Sequence, residues 1–155
     1  MILGHAALAV MARKTLRLPA PMVLLLLASC GPDVIDKAAM LLLGTPSKWI
    51  GHTLLLSAAV ALAFLPARRG RFDRVWWAVT LLWLSHLILD LTEPAVLFWP
   101  ALGGFPADAP YDLADGFFSF YSGRGNILVL AFDLACLAAA LAATLPGWIR
   151  RRPGP

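Results

Sequence analysis

Apolar residues run along this chain in six blocks, set apart by short polar or glycine-proline breaks. The blocks cover residues 2–12, 19–43, 50–66, 75–92, 94–102 and 127–146. Gly31-Pro32-Asp33 interrupts the second, Pro94 and Pro100 bound the fifth, and Pro146-Gly147 ends the last. Their lengths predict helices throughout. A helix crossing a bilayer needs roughly 20 apolar residues, so 19–43, 50–66, 75–92 and 127–146 are expected to span. Residues 2–12 are expected to form a short N-terminal apolar helix, and 94–102 an interfacial segment. One long polar stretch, 103–126, carries Asp108, Asp112, Asp115 and the aromatic run Phe117 to Tyr121. The fold class expected is all-α: a polytopic membrane helix bundle of about four transmembrane spans, forming one integral-membrane domain over residues 1–155.

Composition agrees with that pattern. Of the 155 residues, 60% are hydrophobic and 14% charged, and the mean hydropathy is +0.76. A soluble domain is nearer half apolar and a quarter charged. The net charge of +4 does not point to nucleic acid, because the basic residues cluster beside apolar blocks. The clusters are Arg13-Lys14-Arg17, Arg68-Arg69-Arg71-Arg74 and Arg150-Arg151-Arg152. The positive-inside rule places such clusters in the cytoplasm. The expected location is therefore a bacterial inner membrane, multi-pass, with the acidic segment 103–126 outside and the C-terminus cytoplasmic. Trp76, Trp77, Trp99 and Trp148 fall near span ends, as interfacial anchors do. Cys30 and Cys136 lie in apolar runs and read as packing residues, not as a disulfide framework. Leu27-Ala28-Ser29-Cys30 matches a lipoprotein cleavage motif. The sequence beyond it returns at once to apolar blocks, so the expectation is an uncleaved chain.

The apolar blocks hold polar groups that are costly there, roughly 2.5–3.5 kcal/mol each for a charge at the centre of a span. They are Asp33, Asp36, His52, His86, Asp90 and Asp133, and His5 lies in the first block. At about 1.5 Å of rise per residue, the expected topology brings His5, Asp33, Asp36, His52, His86 and Asp90 to a similar depth from four separate segments. His86 and Asp90 are i and i+4, on one helix face. Asp33 and Asp36 are i and i+3, with Pro32 expected to begin a new helical segment. Three imidazoles and three carboxylates make a ligand set for zinc or another divalent first-row metal. Asp133 reads either as a helix–helix hydrogen bond or as support for a ligand. Lys37 and Lys48 read as snorkelling residues.

These residues resemble the YdjM-type, LexA-regulated family of bacterial inner-membrane proteins, described as membrane-bound metal-dependent hydrolases. The blocks that carry the resemblance are GHAALA with His5, LLLLASCGPDVID with Asp33 and Asp36, SKWIGHTLLLS with His52, and WLSHLILDLTEP with His86 and Asp90. They cover residues 1 to about 100. Two departures stand out. The aspartates are one residue further apart than the family's pair, and Ser47-Lys48 replaces the family's His-Arg.

The resemblance implies a metal-dependent hydrolase acting on phospholipid or another membrane-proximal ester or phosphodiester. The expected metal ligands are His5, Asp33, Asp36, His52, His86 and Asp90, with zinc as the metal. Asp36 and His52 are the expected catalytic residues, Asp36 as the base that takes a proton from water. The lipid bilayer is the expected partner. Ser47 supports an alternative, a non-catalytic membrane protein that carries metal or protons or is purely structural.

Overall fold

A computed structural model describes residues 2–67, 73–90, 92–105 and 127–144. Six α-helices occur among them: α1 (Ile2–Thr15), α2 (Met22–Leu43), α3 (Leu54–Ala63), α4 (Asp73–Leu89), α5 (Pro94–Leu97) and α6 (Ile127–Thr144). Short 3₁₀ turns at Ile50–His52 and Leu65–Ala67 flank α3. The all-α expectation holds for the described residues. The basic cluster 68–71, the polar segment beyond residue 105 and the C-terminal cluster 150–152 lie outside them.

The polytopic bundle and the multi-pass inner-membrane location are corrected. Among the described residues, no helix is long and apolar enough to cross a membrane. The apolar block 50–66 overstates the helix it contains. Residues 50–52 are taken by a 3₁₀ turn, and Thr53 caps the next helix by accepting a hydrogen bond from the Leu56 N–H. The resulting α3 has only 10 residues, about 15 Å of rise. Among the described residues α1 has 14 residues, below the roughly 17–25 of a crossing helix, and α4 and α6 have 17 and 18, at its lower edge. The longest, α2 with 22 residues, carries Asp33, Asp36 and Lys37. Pro32 lies inside α2 without ending it, so no new segment begins there.

Helical periodicity sorts the helix faces. In α2 the buried positions are Leu25, Ala28, Ser29, Gly31, Pro32 and Asp36. In α4 they are Val75, Ala78, Val79, Leu82, Trp83, His86 and Leu87. Each set recurs at three- or four-residue spacing, one stripe per helix. An apolar core forms where the stripes meet near the start of α4, from Ala9, Leu18, Ala20, Leu25, Ala28, Val75, Ala78, Val79 and Leu82. Each buried Leu or Val contributes roughly 1.5–3 kcal/mol. Further along α2 and α4 the same stripes turn polar, at Asp33 and Asp36 and at His86 and Asp90. Many large apolar side chains remain exposed, Leu41, Leu42, Leu43, Leu62 and Ile88 among them.

Two helices close the polar end. The Gly4 N–H at the start of α1 donates to Asp133 of α6, and Lys14 near its end donates to the Ala143 carbonyl. Two bonds with rising numbers on both helices mean that α1 and α6 run side by side in the same direction. Asp133 is therefore a helix–helix hydrogen-bond acceptor, one residue from where His5 leaves α1. On the other side, Gly31 lets Trp83 lie flat on α2. A Cβ there would sit 2.6 Å from the Trp83 ring, so any side chain would force the indole or the helix to move.

Candidate metal centre

Four segments deliver the polar cluster: α1 with His5, α2 with Asp33 and Asp36, the 3₁₀ turn with His52, and the end of α4 with His86 and Asp90. The helical hydrogen bond from Asp90 N–H to the His86 carbonyl keeps the last two on one face. All three imidazoles are fully buried. Asp33 and Asp90 are only partly covered, with side chains 24% and 14% exposed.

The carboxylates alternate with the imidazoles. Asp33 Oδ1 is 3.8 Å from His52 Nε2, and its Oδ2 is 3.7 Å from His86 Nε2. Asp90 Oδ2 is 3.5 Å from His52 Nε2, and its Oδ1 is 3.6 Å from His5 Nε2. These separations exceed a good N–H···O hydrogen bond. Accordingly, Nε2 of His5, His52 and His86 has no hydrogen-bond partner although each is buried. A buried polar atom without a partner requires an explanation, such as a bound water or ion. Asp33, His52, His86 and Asp90 each offer a ligand atom, all within 4.8 Å of one another, so this Asp/His group can hold a metal ion. His5 is not part of that group of four. Its ring stacks on His86, with centroids 3.9 Å apart and planes at 26°.

The outer nitrogens fix the tautomers. His86 Nδ1 is 2.7 Å from the Ser29 carbonyl, and His52 Nδ1 is 2.7 Å from Asp36 Oδ2. Both partners only accept hydrogen bonds, so each Nδ1 carries the proton and each Nε2 turns a lone pair inward. Carboxylate or carbonyl partners of this kind orient metal-binding histidines generally.

Asp36, expected as ligand and base, faces away from the group of four. Its Oδ1 accepts from the Gly51 N–H and its Oδ2 from the Trp49 N–H, both at 2.6 Å, besides holding His52. This close fit needs glycine at 51, because a Cβ there would lie 2.4 Å from the Pro32 carbonyl oxygen and 2.6 Å from Asp36 Oδ1. Lys48 sits over the open side, its ammonium donating to the Asp90 carbonyl at 2.8 Å and lying 3.7 Å from Asp90 Oδ2. The Ser47 carbonyl accepts from Lys37. Ser29 was not singled out from the sequence, yet its carbonyl orients His86 and its hydroxyl donates to the His5 carbonyl. No pattern of residue types marks a backbone carbonyl as a site element.

Electrostatics separate the histidines. Burial and the neighbouring His5 ring lower the His86 pKa to about 4, against the pull of Asp33 and Asp90. Burial also disfavours charge on His52, but Asp36, Asp90 and Asp33 outweigh it and raise its pKa. Asp90 is pushed upward by burial, yet the facing His5 and His52 and the Lys48 charge hold it well below the usual carboxylate range. Burial, then Asp33, raises the Cys30 thiol.

No family model, curated protein or solved structure matches this chain.

Proposed function

We propose that the chain is a metal-dependent hydrolase of esters or phosphodiesters, with zinc as its ion. One observation carries this reading: two carboxylates converge with two imidazoles whose Nε2 atoms are oriented from behind and have no hydrogen-bond partner. Nitrogen and oxygen donors in this ratio suit zinc. Asp33, His52, His86 and Asp90 would hold the ion, which lowers the pKa of a coordinated water and polarises an ester oxygen. The exposed edges of Asp33 and Asp90 leave room for water and substrate. Asp36 is fully engaged with His52, Trp49 and Gly51 and so is not available as a base. Lys48 offers a cation to an anionic substrate oxygen.

The substrate class is an amphiphilic ester, such as a phospholipid. Val34 and Ile35 of α2 and Ile88 of α4 expose apolar side chains on the helices that carry the site. The resemblance to membrane-bound hydrolases points the same way. A second reading, a non-catalytic metal carrier, rests on Ser47 standing where that family has histidine.

The test is metal analysis of the purified chain, followed by turnover of phospholipid and soluble phosphodiester substrates by the wild type and Asp33→Asn. Stoichiometric metal, with turnover lost in the variant, supports the hydrolase. Metal without turnover favours the carrier, and absence of bound metal sinks both.

A further inference from the structure

The group of four accounts for one ion but leaves His5 unexplained. His5 is fully buried, neither of its ring nitrogens has a hydrogen-bond partner, and it faces Asp90. Its placement is fixed on both sides. The Gly4 N–H before it is held by Asp133, and its own carbonyl accepts the Ser29 hydroxyl. Burying an imidazole without partners is costly.

The carboxylate geometry supplies the explanation. In Asp33 and in Asp90 alike, one oxygen faces His52 and the other faces a different imidazole. Asp33 Oδ1 and Asp90 Oδ2 converge on His52 Nε2, at 3.8 and 3.5 Å. Asp33 Oδ2 faces His86 Nε2 at 3.7 Å, and Asp90 Oδ1 faces His5 Nε2 at 3.6 Å. The stacked rings of His5 and His86 lie side by side on that second flank. Two donors bound to one tetrahedral ion at about 2.0–2.2 Å lie roughly 3.3–3.6 Å apart. Each of the four separations is therefore near the edge of a metal polyhedron. A single ion cannot use both oxygens of each carboxylate toward opposite sets of imidazoles.

We infer that this is a two-ion centre, bridged by Asp33 and Asp90. One divalent first-row ion is held by His52, Asp33 Oδ1 and Asp90 Oδ2, and the other by His5, His86, Asp33 Oδ2 and Asp90 Oδ1. Paired ions of this kind stand about 3.5–4 Å apart, which two bridging carboxylates enforce. The inference rests on the metal-binding reading above, adds the second ion and the role of His5, and assigns His86 to that second ion.

The test uses the full chain, stripped with chelator and reloaded with Mn²⁺, with bound metal counted by mass spectrometry and the ions examined by electron paramagnetic resonance. The expected result is about two Mn²⁺ per chain and a spin-coupled multiline spectrum. In His5→Gln the count is expected to fall to about one and the coupling to vanish, with helical circular dichroism retained. One uncoupled ion in the wild type overturns the two-ion centre and leaves the single-ion reading standing. No bound ion overturns both. Two coupled ions persisting in His5→Gln overturn the assignment of His5. If His5→Gln fails to fold, the wild-type count and spectrum decide alone.

Discussion

Asp33 and Asp36 hold the imidazole of His52 from its two ends. Asp36 Oδ2 lies 2.7 Å from Nδ1, and Asp33 Oδ1 lies 3.8 Å from Nε2. Three residues apart on α2, the two carboxylates share a face but have different tasks. Asp36 is saturated by hydrogen bonds and sets the ring's tautomer, whereas Asp33 stands open beside the lone pair. Substituting Asp36→Asn is expected to weaken metal binding about 10–100-fold, since an amide can offer its NH₂ to Nδ1 and reverse the tautomer. Competition against a chromophoric chelator measures this. An unchanged affinity would show that His52 is oriented by something else.

Gly51→Ala is expected to destabilise the protein by more than a surface substitution does. The added methyl meets the Pro32 carbonyl and the Asp36 carboxylate at 2.4–2.8 Å, and neither is the far end of a flexible side chain. Overpacking of this kind costs about 1–3 kcal/mol. Because the strain falls on Asp36, metal affinity drops with it. Thermal denaturation with and without metal checks both effects, and a wild-type melting temperature would contradict the close approach.

The histidines set opposite pH limits on the metal-free protein. The folded pKa of His86 is depressed to about 4, against about 6.5 unfolded. Between these values the unfolded chain binds a proton that the folded chain refuses, so stability falls as pH drops from 6.5 to 4. The loss is at most about 3 kcal/mol. The raised pKa of His52 acts in reverse: its contribution is complete below 6.5 and is lost as pH rises through the folded value. Together the pair favours the folded state most near pH 6.5. Denaturant titrations across pH in chelator check this, with the acid-side slope expected to flatten in His86→Gln and the alkaline-side slope in His52→Gln.

Asp133 acts on the site through α1. Its Oδ1 accepts from the Gly4 N–H at 3.0 Å, in a buried position. Asp133→Leu leaves that donor without its acceptor, at a cost of about 1–3 kcal/mol, and loosens the turn that carries His5. Amide hydrogen exchange is expected to speed up at the start of α1 while the α2–α4 interface keeps its protection. Equal loss of protection everywhere would place Asp133 in the general core instead.

Much of this centre was legible in the sequence because it depends on spacing along single helices. His86 and Asp90 had to share a face, as did Asp33 and Asp36, and histidines in apolar blocks had to be buried. Helical periodicity fixed those facts, along with the all-α class. It could not say which carboxylate would be spent on orientation. That was decided where the backbone of Trp49 and Gly51 reaches α2 and offers two N–H groups to Asp36, a contact that exists only because residue 51 has no Cβ. Nor could spacing show Ser29's carbonyl behind His86, or His5 stacked on the same ring. The expected span 50–66 failed for a related reason. Hydropathy marks how long an apolar block is, but caps and 3₁₀ turns, set by local hydrogen bonding, decide how much of it is helix. Sequence determined which side of each helix the donors leave from. Tertiary structure alone decided what they meet, because a side chain's partner depends on how closely separate backbones can approach.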